Sequence, residues 1–144
     1  MLNHLTIKFK KRLFGDWCGN WNIEHRWIHL LSDLRKLPKE YQLLVATHEF
    51  IELVASQLLN VPDCCSSAYD NEKHGYMNSQ AHYFAEEVEK LILTRFTKLS
   101  WEEYSKVIEG VRIKVYGNDK GSIPCNYCDK LFCKAKEKSL VGEK

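Results

Sequence analysis

No stretch of this 144-residue chain approaches the run of about 18 uncharged apolar residues that a membrane-crossing helix needs. The opening Met1-Leu-Asn-His-Leu-Thr-Ile-Lys8 has no apolar core of secretory length before the lysines begin. A reducing cytoplasm is therefore the expected compartment, and there the six cysteines read as thiols or metal ligands rather than disulfides. Charge of one sign is also lacking: a formal net charge of +2 argues neither for nor against an anionic partner. The short basic run Lys8-Phe-Lys-Lys-Arg12 reads as a solvated strand edge, not a nucleic-acid patch. The motifs G-x-x-x-x-G-K-S/T, G-x-G-x-x-G and G-x-S-x-G are absent, which leaves P-loop, Rossmann and α/β-hydrolase chemistry unsupported. There are no internal repeats.

What is present suits one globular domain with a tail. The chain is 44% apolar and 28% charged, ordinary values for a folded protein. Residues 5–11 alternate apolar and polar, as a half-buried strand does. Turn-forming residues 15–20 follow, and residues 21–30 read as a second strand, giving a hairpin or small antiparallel sheet. Trp17, Trp21, Trp27 and Trp101 are expected to pack the sheet and core. His25 and His29 read as ordinary strand residues.

Pro38 can occupy a first helical turn, and residues 39–60 continue with helical periodicity. Residues 61–78 read as an irregular loop. Ser79 can cap a second helix reaching about Thr97, and Ser100-Trp-Glu-Glu103 has capping-box spacing for a third, ending near Gly110. The expected fold is α+β: a short antiparallel sheet on two or three helices over residues 1–115. Residues 116–144 form a linker and an irregular cysteine-containing segment.

The chemistry concentrates on the first two helices. At about 100° per residue, His48 and Glu52 lie about 40° apart within an apolar arc shared with Ile51, Val54 and Leu58. Glu49 falls about 100° round, at the margin of that arc, where it can reach the same cavity from the side. On the second helix His82 and Glu89 lie about 20° apart among Ile92, Leu93 and Phe96, with Glu86 beside them. Imidazoles and carboxylates are costly to bury unless they pair or bind a metal. Two helices that both carry them inward point to one shared polar site. Mixed imidazole and carboxylate ligands suit zinc first, then manganese, iron or nickel. A structural hydrogen-bond network is the competing reading.

His48-Glu49-Phe-Ile-Glu52 resembles a variant of the H-E-x-x-H zinc-protease helix, with Glu52 where the second histidine stands. In that arrangement His48 and Glu52 are ligands, His82 the third ligand, and Glu89 a fourth ligand or an orienter of an imidazole. Glu49 is then the general base.

A wider pattern is present too. Gly15-Asp-Trp17, Tyr41-x-Leu-Leu-Val-Ala-x-His-Glu-x-Ile-Glu52, Ala68-Tyr-Asp70 and His82-x-Phe-Ala-x-x-Val-Glu89 resemble a family of small phage and bacterial proteins over residues 14–110. The resemblance implies a bacterial or phage-infected cell as the setting. It marks His48, Glu49, Glu52, His82 and Glu89 as the site, with Asp70 a weaker match, and brings no activity with it. The cysteine segment after Val115 has no counterpart in the pattern.

Cys125-x-x-Cys128 with Cys133 supplies three of four ligands for a structural zinc, and Cys18, Cys64, Cys65 or a histidine could complete the set. Free thiols are the equal alternative; a redox role lacks its βαβ setting. Cys64 and Cys65 read as reduced loop residues and His74 as solvent-exposed. The expected function is a metal-binding protein, of zincin-like hydrolase type, acting on an unidentified substrate. Alternatives are a non-catalytic phage accessory protein that binds a host protein, and a phosphohydrolase with two metals bridged by Glu52 and Glu89.

Overall fold

Val, Ile, Leu and aromatic residues alternate or cluster over residues 6–31, and this stretch forms the sheet. The computed structural model describes residues 4–13, 18–23, 26–60 and 75–117, the side chains of 75–79 excepted. Strands β1 (Thr6–Lys10), β2 (Gly19–Asn22) and β3 (Trp27–Leu31) form one sheet in the order β1-β3-β2. β2 and β3 are an antiparallel hairpin with Trp21 opposite Ile28. β1 adds parallel to β3, with Phe9 opposite Leu30. The sheet is therefore mixed, correcting the expected all-antiparallel pairing. Alternation fixes which face a residue takes, but carries no information about strand direction.

The expected single strand over 21–30 is broken as well. Arg26 has φ 56°, and its N–H donates to the Ile23 carbonyl at 3.3 Å, turning the chain between β2 and β3. β3 is the central strand and is buried from Ile28 to Leu31, so both its faces are covered. The side chains of Trp27 and His29 stack with ring centroids 3.7 Å apart.

A 3-10 turn (Ser32–Lys36) buries Leu34 completely and leads to Pro38, which stands at the N-cap position, just ahead of the first turn of helix α1 (Lys39–Leu58) and not within it. Helix α2 spans Gly75–Phe96, starting four residues ahead of Ser79, so Ser79 lies inside the helix and is not its cap. Helix α3 (Trp101–Tyr116) starts as expected: the Glu103 N–H donates to Ser100 Oγ at 3.1 Å. It does not stop near Gly110. A mid-helix glycine costs only about 1 kcal/mol. Val107, Ile108, Val111 and Val115 pack on the core on either side of it, and that burial carries the helix through.

The end of α3 ties the molecule together. The Leu13 N–H, in the segment between β1 and β2, donates to the Tyr116 hydroxyl at 2.8 Å. Leu13, Trp21, Ile28, Leu30, Leu31 and Leu34 are each at most 1% exposed, and burying such a side chain contributes roughly 1.5–3 kcal/mol. Not every residue of the expected apolar arcs is inside: Leu58 is 80% and Phe96 79% exposed. No helix among the described residues is long and apolar enough to cross a membrane. Trp17, His25, Cys64, Cys65, Asp70, His74, Cys125, Cys128 and Cys133 lie outside the described residues, so the expected C-terminal zinc site does too.

Candidate metal centre

α1 and α2 pack against each other, and their inward faces carry the polar residues. His48 reaches Glu89 on α2, while Glu52, one turn further along α1, reaches His82, nearly two turns back along α2. The helices therefore run antiparallel. Ala81 and Ala85, at most 1% exposed, are small enough to let them approach closely.

Three atoms converge. His48 Nε2 lies 3.2 Å from Glu52 Oε2 and 3.1 Å from His82 Nδ1, and His82 Nδ1 lies 3.1 Å from the same Glu52 oxygen. A ring N–H points along one line, so protons satisfy at most two of these three contacts. A cation satisfies all three. The three atoms are close enough together for one cation to be held by all of them. His48, Glu52 and His82 thus form a group able to hold a metal ion.

The surroundings fit that use. His48 donates from Nδ1 to Glu89 Oε2 at 2.8 Å, which turns Nε2 toward His82 and Glu52. The other oxygen of Glu89 accepts the Tyr104 hydroxyl of α3. Glu89 is therefore not among the converging atoms. It stands behind His48 with both oxygens in use, in the orienting place rather than the ligand place. Glu52 Oε1 accepts the Trp21 indole N–H at 3.4 Å. Glu86 lines the same cleft and pairs with Lys90 at 3.6 Å.

Charges in the group follow from this packing. Burial opposes protonation of His48, but hydrogen bonds to Glu52 and Glu89 and the charges of Glu49 and Glu89 outweigh it, raising its pKa to about 11. Burial likewise opposes ionisation of Glu52, yet hydrogen bonds from His48 and His82 hold it down to about 2. Tyr104 is pushed up by burial and by Glu89, and stays a neutral donor.

Glu49 behaves differently. It is 8% exposed and lies against β2, where a Cβ on Gly19 would come within 2.5 Å of its Cγ and 2.6 Å of its Oε1. Any larger residue at position 19 would push the Glu49 side chain aside. Burial first, then the negative charge of Glu52, raises its pKa to about 8, with His48 opposing and Glu89 adding. Among the described residues no hydrogen bond holds its carboxyl group. It lines a cleft of about 540 Å³ with His48, Glu52, His82, Tyr104 and Arg112, a size suited to a small-molecule ligand or one side chain.

The helix positions brought His48, Glu49, Glu52, His82 and Glu89 together from the sequence. Gly19, Trp21 and Tyr104 were missed as site residues. Trp21 and Tyr104 carried a faint signal, because buried Tyr and Trp need partners for O–H and N–H; Gly19 carried none, because residues 15–20 read as a turn, whereas β2 already begins at Gly19. Cys18 lines the cleft too, its thiol donating to the Ile108 carbonyl at 3.6 Å.

No family model matches the chain, and no curated protein or solved structure matches it. The functional reading rests on the geometry.

Proposed function

We propose that His48, Glu52 and His82 hold one divalent cation, zinc first, and that the protein is a metal-dependent hydrolase in which Glu49 is the general base. The observation that carries this is the three-way convergence of His48 Nε2, His82 Nδ1 and Glu52 Oε2 at 3.1–3.2 Å, beside a buried carboxyl group that no hydrogen bond occupies among the described residues. When bound, the ion supplies a Lewis acid at the cleft.

The protein's own groups do the rest. Glu89 keeps the proton of His48 on Nδ1 and so leaves Nε2 free for the ion. Tyr104 holds Glu89 in that orientation. Added positive charge beside Glu49 favours its carboxylate form. From its seat against Gly19 the carboxylate takes a proton from an attacking water and returns it to the leaving group. A two-metal phosphohydrolase is less well supported, because both oxygens of Glu89 are already engaged. The non-catalytic reading has one point in its favour: without an ion, His48 is a protonated partner for Glu52 and Glu89, a stable network in itself.

Elemental analysis of the purified full chain tests the metal. About one ion per chain is expected, falling to near none in His48→Ala and His82→Ala. Equal metal in all three proteins overturns the site. Glu49→Gln then tests catalysis: metal content unchanged, and hydrolysis lost across a panel of p-nitrophenyl esters, anilides and phosphates. Retained turnover in that variant removes Glu49 as the base. A wild type inert toward the whole panel favours the non-catalytic reading.

A further inference from the structure

The side of the α1–α2 pair opposite the cleft has no use in that chemistry. On α1, Glu49 turns toward the sheet and His48 and Glu52 toward α2. Positions 43, 47, 50, 54 and 58 fall on the side away from both, within about 80° of arc. On α2, His82 and Glu86 turn into the cleft, and positions 84, 88 and 91 lie opposite them within about 60°. Because the helices are antiparallel, the two stripes emerge on the same side, facing away from the sheet.

Among the described residues this face is largely apolar and exposed. Leu43 is 57%, Phe50 37%, Leu58 80%, Phe84 53% and Leu91 65% exposed. Together they leave on the order of 500 Å² of largely apolar surface, at the upper end for a monomer's largest patch. Half-buried Val54 and Val88 lie between them, and the ~800 Å² that each partner gives to a standard interface is reached only with the polar margin included.

Two features say what fits it. Leu43 and Phe50 are seven residues apart on one helix, as are Phe84 and Leu91 on the other, the spacing with which helices interlock along a seam. Among the described residues the charged positions within those arcs are Glu40 and Arg95, of opposite sign and beside each other at one end of the face, so the face can meet its own copy without an excess of like charge. A helix pair with an apolar stripe of this spacing is completed by a matching pair, as in a four-helix bundle. We propose that this face is a homodimer interface, with α1 and α2 of a second copy of the chain as its occupant. The two metal centres then lie on the outer sides of the bundle, and the cleft stays open.

Sedimentation equilibrium of the full chain from low to high micromolar concentration tests this, with Phe84→Glu and Leu91→Glu alongside. The wild type is expected to move to twice the 16.9 kDa of one chain, and both variants to stay at the single-chain mass with helix content and bound metal unchanged. A wild type that remains single at every concentration overturns the proposal, as does a dimer undiminished in both variants. A single-chain wild type that instead sediments with phosphatidylcholine vesicles assigns the face to a lipid surface and overturns it equally. Metal content is read independently, so failure here leaves the cation site standing.

Discussion

Where the sheet meets the 3-10 turn, Leu31 and Leu34 are 0% exposed and surrounded by hydrocarbon; where α1 meets α2, His48, Glu49 and Glu89 are 9%, 8% and 5% exposed. The first region excludes water, whereas the second borders an open cleft in which the His82 side chain is half exposed, and the two differ in what holds them together. The first gains roughly 1.5–3 kcal/mol for each large side chain it buries. The second pays desolvation for every charge, and hydrophobic residues in place of a buried ion pair often leave a protein as stable or more so. Apolar burial accounts for the first region; in the second, ion pairs and hydrogen bonds offset the desolvation, holding His48 protonated and Glu52 ionised. The second region also carries a group of atoms able to hold a metal ion.

Substitutions should separate the two regions. The largest effect is expected from Leu34→Ala, which empties a fully buried position: a loss of about 2–5 kcal/mol in urea unfolding, with the folded fraction still binding its metal. Loss of metal at full stability would mean that the two regions are not separate.

Next comes Tyr104→Phe, which removes one hydroxyl from Glu89. Metal affinity should weaken by about 10–100-fold in a chelator competition titration, while the ligands stay in place. Unchanged affinity would show that Glu89 orients His48 without help from α3.

A pH effect should arise on the sheet side. Burial, then the charges of Lys10 and Lys8, lower the His29 pKa from 6.5 to about 4, so the folded chain refuses a proton that the unfolded chain accepts. The contribution is complete above the unfolded pKa and erodes as pH falls from about 6.5 toward 4. Between pH 7 and 5 the loss should be about 1–2 kcal/mol more in the wild type than in His29→Gln, read from urea midpoints. Parallel pH profiles would remove His29 as the cause. The smallest effect is a gain. Gly110 sits mid-helix, and a methyl group placed on it would meet nothing within 4 Å. Gly110→Ala should therefore stabilise by roughly 0.5–1 kcal/mol, visible as a higher Tm.

Much of the site was legible because a helix has a fixed period. Spacing alone put His48 beside Glu52 and His82 beside Glu89, and the same period brought Glu49 to the edge of the cavity. The capping residues of α3 were equally readable, since Ser100 and Glu103 interact within one turn. Errors fell where a contact joins distant parts of the chain. The parallel pairing of β1 with β3 and the passage of α3 beyond Gly110 both depend on partners far along the chain.

By itself, then, the sequence determined the α+β composition, the polar stripes on α1 and α2, and which side chains those stripes carry. Only the tertiary structure decided that Glu89 stands behind His48 instead of beside the converging atoms, that Tyr104 secures it, and that Glu49 lies hard against Gly19. The reason is geometric: a helical period fixes direction around an axis, whereas distance between two axes is set by the residues that pack them together.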